Sequence, residues 1–253
     1  KLTTLAKELD SSRIIACANM NQVEIANPLN SITDAVGQNL YFGWYYGKMQ
    51  DYKTYLDEFH SQNPNMPIGI SEYGVDCNLH FHTETPTVRD YSEEFKALFH
   101  ETVYPILESK TYLWGSFIWN MFDFGSAIRN EGDIKHKNCK GLVTYDRKIK
   151  KDAFYYYKAR WSNEPFVHIT GKRFQKRNAA QITIKIYSNL PQVTLLINGK
   201  QTLSKTPQQP GVFLFPYIDL ITDGQTKIQA IAENCTDNAV FVYTDIPEES
   251  YIY

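Results

Sequence analysis

A chain of 253 residues with a formal net charge of −2 and no basic stripe can bury a sizeable core, suits two domains better than one, and offers neither a nucleic-acid footprint nor a polybasic membrane segment. No apolar run is long enough to cross a bilayer as a helix, and Cys17, Cys77, Cys139 and Cys235 lack the spacing of a zinc site or a disulfide scaffold, which leaves four ordinary thiols. The 18 tyrosines, in an aromatic content of 14%, suit a neutral polar ligand such as a sugar, because each ring offers an apolar face with a polar edge.

In chain order, Leu2, Leu5, Ala6 and Leu9 share one helical face, and Asp10-Ser11-Ser12 ends the segment, which reads as an amphipathic helix and not as a signal peptide. Ile14 to Ala18 is a short apolar strand. Three further apolar runs, Ala35 to Tyr46, Pro67 to Gly74 and Tyr112 to Phe124, are compact enough to be strands buried on both faces. Between them, Asp51 to Ser61 and Tyr91 to Ser109 have helical periodicity, the latter with Tyr91, Phe95, Leu98, Phe99 and Val103 on one face. Alternating strands and helices are the grammar of an α/β barrel, which needs eight such units over about 250 residues. The segment up to Trp161 holds about half that number of strands and is expected to be the C-terminal half of a (β/α)8 TIM barrel.

Beyond Trp161-Ser162-Asn163-Glu164-Pro165 the pattern changes to short, mostly alternating strands at Val167–Ile169, Ile182–Tyr187, Val193–Ile197, Val212–Phe215, Lys227–Ile231 and Val240–Tyr243. Turn signals at Asn198-Gly199, Pro210-Gly211 and Asp223-Gly224 argue an antiparallel β-sandwich. The expected class is α/β plus all-β, with residues 1–161 in the barrel and 165–253 in an immunoglobulin-like β-sandwich. Bracing the barrel, binding glycan and forming homo-oligomer contacts are all open roles for the second domain.

Ser71-Glu72-Tyr73-Gly74 closes the run beginning at Pro67, so Glu72 stands at the C-terminal end of a buried parallel strand, where barrel active sites sit. A carboxylate there suits a nucleophile or a general base, against the plainer role of capping the next element. Asn39 to Tyr45 ends the preceding strand. A tyrosine hydroxyl in it, such as that of Tyr41, can hold a neighbouring carboxylate ionised and oriented, while core packing is an equal alternative for Tyr41 and Trp44. Trp119-Asn120 ends the last strand, where an indole can stack on a pyranose or fill the barrel. Asn138-Cys139-Lys140 supplies an amide and an ammonium for sugar hydroxyls or a carboxylate, with a solvated loop as the default. His80 and His82 read as a surface loop. Asp146-Arg147-Lys148 with Lys150 and Lys151 reads as a wet charge run without catalysis, and the sequon Asn234-Cys235-Thr236 carries little weight.

Taken together, Asn39 to Tyr45, Ile70 to Gly74, Leu113 to Phe124, Lys140 to Lys148 and the continuation Lys151 to Ala159 resemble glycoside hydrolase family 2, in order and spacing as well as in wording, and most closely its β-galactosidase branch from gut Bacteroides-like bacteria. The resemblance implies retaining, double-displacement hydrolysis of terminal β-D-galactosides with Glu72 as nucleophile. Tyr41 matches the residue that hydrogen-bonds the nucleophile. Asn39, Trp44, Trp119, Asn120, Asn138 and Lys140 match substrate-contacting positions. The N-x-K tripeptide also occurs in β-glucuronidases, where the lysine pairs with the uronate carboxylate, so glucuronide hydrolysis is the alternative, and a catalytically silent carbohydrate-binding module a further one. The family's acid/base glutamate follows an asparagine upstream of the position of Lys1, and nothing in this sequence replaces it. The expectation is therefore weak hydrolysis by the isolated chain and a partner in the missing N-terminal half. No organic cofactor is called for and no metal-ligand cluster is visible, although the family sometimes uses divalent cations. Neither nucleic acid nor membrane is expected as a partner, and the compartment is open, with a bacterial periplasmic or secreted protein the expectation.

Overall fold

Residues 1–246 are described by a computed structural model of the chain, so residues 247–253 of the expected second domain lie outside the described residues. The chain divides into two compact units: Lys1–Val75 with Phe99–Met121, and Asp76–Leu98 with the chain from Phe122 onward.

The first unit contains α1 (Leu2–Leu9), β1 (Ala16–Met20), β2 (Ala35–Asn39), α2 (Asp51–Gln62), β3 (Ile68–Tyr73), the later turns of α3 (Glu93–Glu108) and β4 (Leu113–Ile118). Its four strands are parallel and hydrogen-bonded in the order β1-β2-β3-β4. Strand order that follows chain order, with helices in the β2–β3 and β3–β4 crossovers, is the barrel pattern. The β1–β2 connection instead passes through a short 3-10 turn at Pro28–Ser31. Val36, Ile68 and Ile70 of the central strands are buried with Tyr52, Leu56 and Phe59 of α2. The expected burial on both faces holds for β2 and β3 alone; β1 and β4 are edges, and Met20, Trp114 and Phe117 remain exposed. All three apolar runs also outlast the strands they hold, β2, β3 and β4. β2 stops at Asn39 because Leu40 to Tyr46 folds into a turn in which the Gly43 N–H donates to Tyr46 O and the Trp44 N–H to Tyr41 O.

Helix α3 begins at Glu93, not Tyr91: Tyr91 has φ +56°, and the Ser92 hydroxyl accepts the Phe95 N–H as a cap. Its polar side is not solvated, since Glu93, Lys96 and His100 are buried.

The second unit continues through a hairpin of β5 (Phe124–Glu131) and β6 (Ile134–Asn138), whose turn residues Gly132 and Asp133 both have positive φ, and through α4 (Asp152–Trp161). Then follow β7 (Val167–Ile169), β8 (Lys176–Arg177), β9 (Gln181–Ser188), β10 (Val193–Ile197), β11 (Lys200–Lys205), β12 (Val212–Asp219), β13 (Gln225–Ala232) and β14 (Cys235–Tyr243). They form a five-stranded sheet, β11-β10-β13-β14-β8, and a three-stranded sheet, β12-β9-β7. Alternating residues of both sheets share one core that includes Ile169, Ile186, Leu195, Phe213, Phe215 and Phe241. Among the strands that periodicity missed, β11 is an edge strand of polar composition, the kind of strand that resists further pairing.

A buried charge network ties the helices of this unit to its strands. Glu93 accepts from Arg173 Nε at 2.6 Å and from the Asp152 N–H at 2.8 Å; Asp152 lies 2.8 Å from His168 Nε2 and accepts the Gly171 N–H at 2.7 Å. Burial opposes ionisation of Asp152, but the His168 hydrogen bond and charge, Arg173 and the Gly171 N–H outweigh it and hold the carboxyl at about 2. A carboxyl depressed on folding stabilises the fold above its unfolded value of about 3.9, and that contribution fades as pH falls toward 2. Asp152→Asn should therefore reduce the slope of unfolding free energy against pH between about 4 and 2, by at most about 1.4 kcal/mol per pH unit, in urea titrations at a series of pH values.

Candidate active site

In the first unit, the C-terminal ends of β2, β3 and β4 and the residues just after them carry the candidate side chains. The β2–β3 register runs Val36 with Ile68, Gly37 with Gly69 and Gln38 with Ile70, then jumps to Asn39 with Glu72. β3 thus holds one extra residue at Ser71, a bulge of the kind that re-aims a side chain at the end of a strand. Glu72 Oε2 accepts a hydrogen bond from the Tyr41 hydroxyl at 2.6 Å, and the Leu40 N–H donates to Glu72 O at 2.9 Å. The Ser71 hydroxyl donates to Asn39 Oδ1 at 2.6 Å. Asn39, Tyr41, Glu72, Trp119 and Asn120 are all half-buried, neither lost in the core nor fully solvated.

The segment after β4 is locked onto the end of β3. The Trp119 N–H donates to Tyr73 O at 2.8 Å, and the Trp119-Asn120 peptide is cis. Gly74 packs so closely here that a Cβ would lie 2.2 Å from Trp119 O. That contact explains why glycine ends the Ser71-Glu72-Tyr73-Gly74 run. Trp44, in contrast, is only 1% exposed; the structure gives it the packing role, and it offers no face to a ligand.

The second unit holds the other two substrate-contact candidates. Asn138 ends β6 and Lys140 follows two residues later, and both are buried, which corrects the solvated-loop default. The Asn138 side-chain oxygen accepts the Lys140 N–H at 3.0 Å. The Lys140 ammonium pairs with Asp76, whose Oδ2 also accepts from Arg129 Nη2 at 3.0 Å and whose Oδ1 accepts the Cys139 N–H at 3.0 Å. Burial opposes ionisation of Asp76, but the charges of Lys140 and Arg129 prevail and lower its pKa. Lys96 Nζ donates to Lys140 O at 2.7 Å; burial, with the neighbouring Lys151 charge, pushes the Lys96 ammonium down to about 8.

Two surface expectations are corrected. Lys151, read as part of a wet charge run, is 1% exposed and donates to Asp123 Oδ1 at 2.8 Å and to Cys139 O at 3.0 Å, while Asp146, Arg147, Lys148 and Lys150 are exposed as expected. His82 is buried 3.0 Å from Glu94 and stacked on Phe174, while His80 is exposed. Asp76, Lys96, Arg129 and Lys151 are the polar residues of this region that periodicity did not single out. The one cue for Asp76 was its place two residues beyond the Pro67–Gly74 run that carries Glu72. Among the described residues no group of three or more His, Cys, Asp or Glu side chains could hold a metal ion.

The family model for the TIM barrel domain of glycosyl hydrolases family 2 matches residues 1–165. A β-glucuronidase of Bacteroides fragilis is 37% identical over 205 residues, which cover 79% of this chain and 29% of that protein. An FMN-binding β-glucuronidase of Faecalibacterium prausnitzii L2-6 superposes with a TM-score of 0.91 at 41% identity, covering 97% of this chain and 38% of that one. A Bacteroides fragilis protein provisionally named a β-galactosidase superposes with a TM-score of 0.90 at 31% identity, covering 98% and 38%. The chain therefore spans between 29% and 38% of the length of these relatives.

Because the Gly74 contact fixes the two strand ends against each other, Gly74→Ala should lower the free energy of unfolding by about 1–3 kcal/mol, read from the midpoint of a urea titration at unchanged slope.

Proposed function

The chain belongs to glycosyl hydrolase family 2, and from that membership we propose that it supplies the nucleophile of a retaining β-glucuronidase. The observation that carries the chemistry is the 2.6 Å hydrogen bond from the Tyr41 hydroxyl to Glu72 at the C-terminal end of β3. A half-buried carboxylate with one oxygen tethered has a fixed direction of attack, which is what covalent catalysis at an anomeric carbon requires. Glu72 attacks that carbon as a second carboxyl group protonates the leaving oxygen; the glycosyl-enzyme then yields to water activated by the same second group. In such enzymes the two carboxyl groups stand about 5–5.5 Å apart. We place the second one in the portion of the relatives' length that these 253 residues do not span. Trp119 and Asn120 supply a stacking face and an amide for the sugar ring, and Asn39 holds Ser71 beside the nucleophile.

The substrate reading moves from β-galactoside to β-glucuronide. Two of the relatives named above are β-glucuronidases, and the Lys140 ammonium of the N-x-K tripeptide suits the carboxylate that a glucuronide carries and a galactoside lacks. The β-galactosidase-type relative supports the galactoside as the second reading. The two-sheet part from β7 to β14, with its shared core, supports an immunoglobulin-like sandwich.

The natural protein that carries this chain should hydrolyse 4-nitrophenyl β-D-glucuronide with a higher kcat/KM than the matching galactoside; the opposite preference would return the galactoside to first place. Glu72→Gln should lower kcat by roughly 10³-fold or more, and an aziridine probe of glucuronic configuration should label the peptide containing Glu72. A label on any other carboxylate overturns the nucleophile assignment. Tyr41→Phe should lower kcat by roughly 10- to 100-fold through loss of carboxylate orientation; unchanged kinetics would remove Tyr41 from the mechanism.

A further inference from the structure

The peptide group that joins Leu40 to Tyr41 lies just past the end of β2, and Leu40 is fully buried. Buried backbone donors and acceptors must find partners, and here two tyrosine hydroxyls supply them. The Tyr52 hydroxyl donates to Leu40 O at 2.6 Å, and the Tyr41 N–H donates to the Tyr46 hydroxyl at 2.9 Å. Both ends of one peptide plane are thus held by side chains. The Leu40 N–H donates to Glu72 O at 2.9 Å, which ties the residue before that plane to the strand carrying the nucleophile. The Phe42 ring packs edge-on with both tyrosines, its centroid 4.9 Å from that of Tyr46 and 5.4 Å from that of Tyr52. Tyr52, on α2, is itself fully buried and meets Phe99 edge-on. Burial pushes both hydroxyls above the ordinary tyrosine value, so they stay protonated at neutral pH.

We infer that Tyr46 and Tyr52 are positioning residues that together fix the direction from which Tyr41 presents its hydroxyl to Glu72. The inference rests on the reading of Glu72 as nucleophile with Tyr41 as its tether, and is indifferent to which sugar is cleaved. The Tyr41 hydroxyl stands at the far end of a rigid ring, so a small rotation of the peptide plane before it is amplified at the oxygen. A misplacement of about 1 Å in a catalytic geometry can cost roughly 10²-fold in rate. The Leu40 carbonyl and the Tyr41 N–H point to opposite sides of their shared plane, and holding both stops that rotation. Tyr46 and Tyr52 act through Tyr41 and not on the substrate. Their loss therefore falls on kcat and leaves KM nearly unchanged, because the direction of the nucleophile counts as the bond to the anomeric carbon forms.

The test uses the natural protein that carries this chain, with 4-nitrophenyl β-D-glucuronide or the matching galactoside, whichever it cleaves faster. Tyr46→Phe and Tyr52→Phe each delete one oxygen and keep the ring. Each should lower kcat by roughly 3- to 10-fold at little-changed KM. Combined with Tyr41→Phe, either should lower kcat no further than Tyr41→Phe does alone, because no hydroxyl is left to aim. Rates are expressed per nucleophile labelled by an aziridine probe of the matching configuration, so that a loss of folded protein is not counted as a loss of rate. Losses that multiply with that of Tyr41→Phe, a raised KM at constant kcat, or wild-type kcat in either variant would overturn the inference. Where one variant does not fold, the other decides; failure of both to fold would make the two hydroxyls part of the fold alone and overturn it as well. A wild-type protein that cleaves neither glycoside, or one in which Tyr41→Phe leaves kcat unchanged, defeats the underlying reading instead, an outcome visible before Tyr46 and Tyr52 are compared.

Discussion

The hydrogen bond from Tyr41 to Glu72 depends on three backbone conditions, and the first unit is organised to meet them. β2 and β3 must be parallel neighbours, so that the residues following each emerge at one end of the sheet. β2 must stop at Asn39, so that the chain can turn and bring Tyr41 back over the strand end. β3 must carry its extra residue at Ser71, because without it the pairing partner of Asn39 is Ser71 and Glu72 sits one position out of register. The apolar side chains of β2, β3 and α2 supply the burial that makes this arrangement stable, but they do not choose the carboxylate's direction. The bulge and the tyrosine do.

The second unit answers a different physical problem, the desolvation of charge. Asp76, Lys96, Lys140, Lys151 and Asp152 are all nearly inaccessible, and isolated charges in such places are too costly to persist. Each has a carboxylate, ammonium, guanidinium, imidazole or backbone partner within hydrogen-bonding distance. Removing one partner from such a set leaves the other charge stranded, which is far more destabilising than the pair is stabilising. The network therefore contributes geometry more than net stability: it holds the 138–140 loop, the start of α4 and the 171–173 turn in fixed relation within the unit.

The sequence made the parallel strands, the α2 and α3 helices and the alternating strands of the second unit legible, because each depends on a repeating apolar pattern. It also pointed to Glu72 and Tyr41, since position at a strand end together with residue type is local information. Trp44 was equivocal for a physical reason: an aromatic after a strand has the same signature whether its ring meets a ligand or the core, and here the core has it. Lys151 and His82 were misread because charge normally marks solvent, and only the distant partners Asp123 and Glu94 reveal that their charges are compensated inside. The β5–β6 hairpin and β11 escaped notice because polar edge strands lack the alternation that burial imposes. The start of α3 was misplaced by the apolar Tyr91, whose left-handed backbone belongs to the turn and not to the helix.

These two kinds of order bear differently on substrate choice. A nucleophile held by a tyrosine serves any retaining β-glycosidase, since every such substrate presents the same anomeric carbon; nothing in the Tyr41–Glu72 pair discriminates galactose from glucuronic acid. Discrimination has to come from groups that meet the substituent at C5, and an ammonium is one kind of group able to tell the two sugars apart. Placed against a hydroxymethyl group it makes at best an ordinary hydrogen bond, whereas against a carboxylate it makes a charge-assisted bond that low polarity strengthens. The β-glucuronide proposal therefore draws on what an ammonium can offer a carboxylate and on the relatives that are β-glucuronidases, and not on the Tyr41–Glu72 pair.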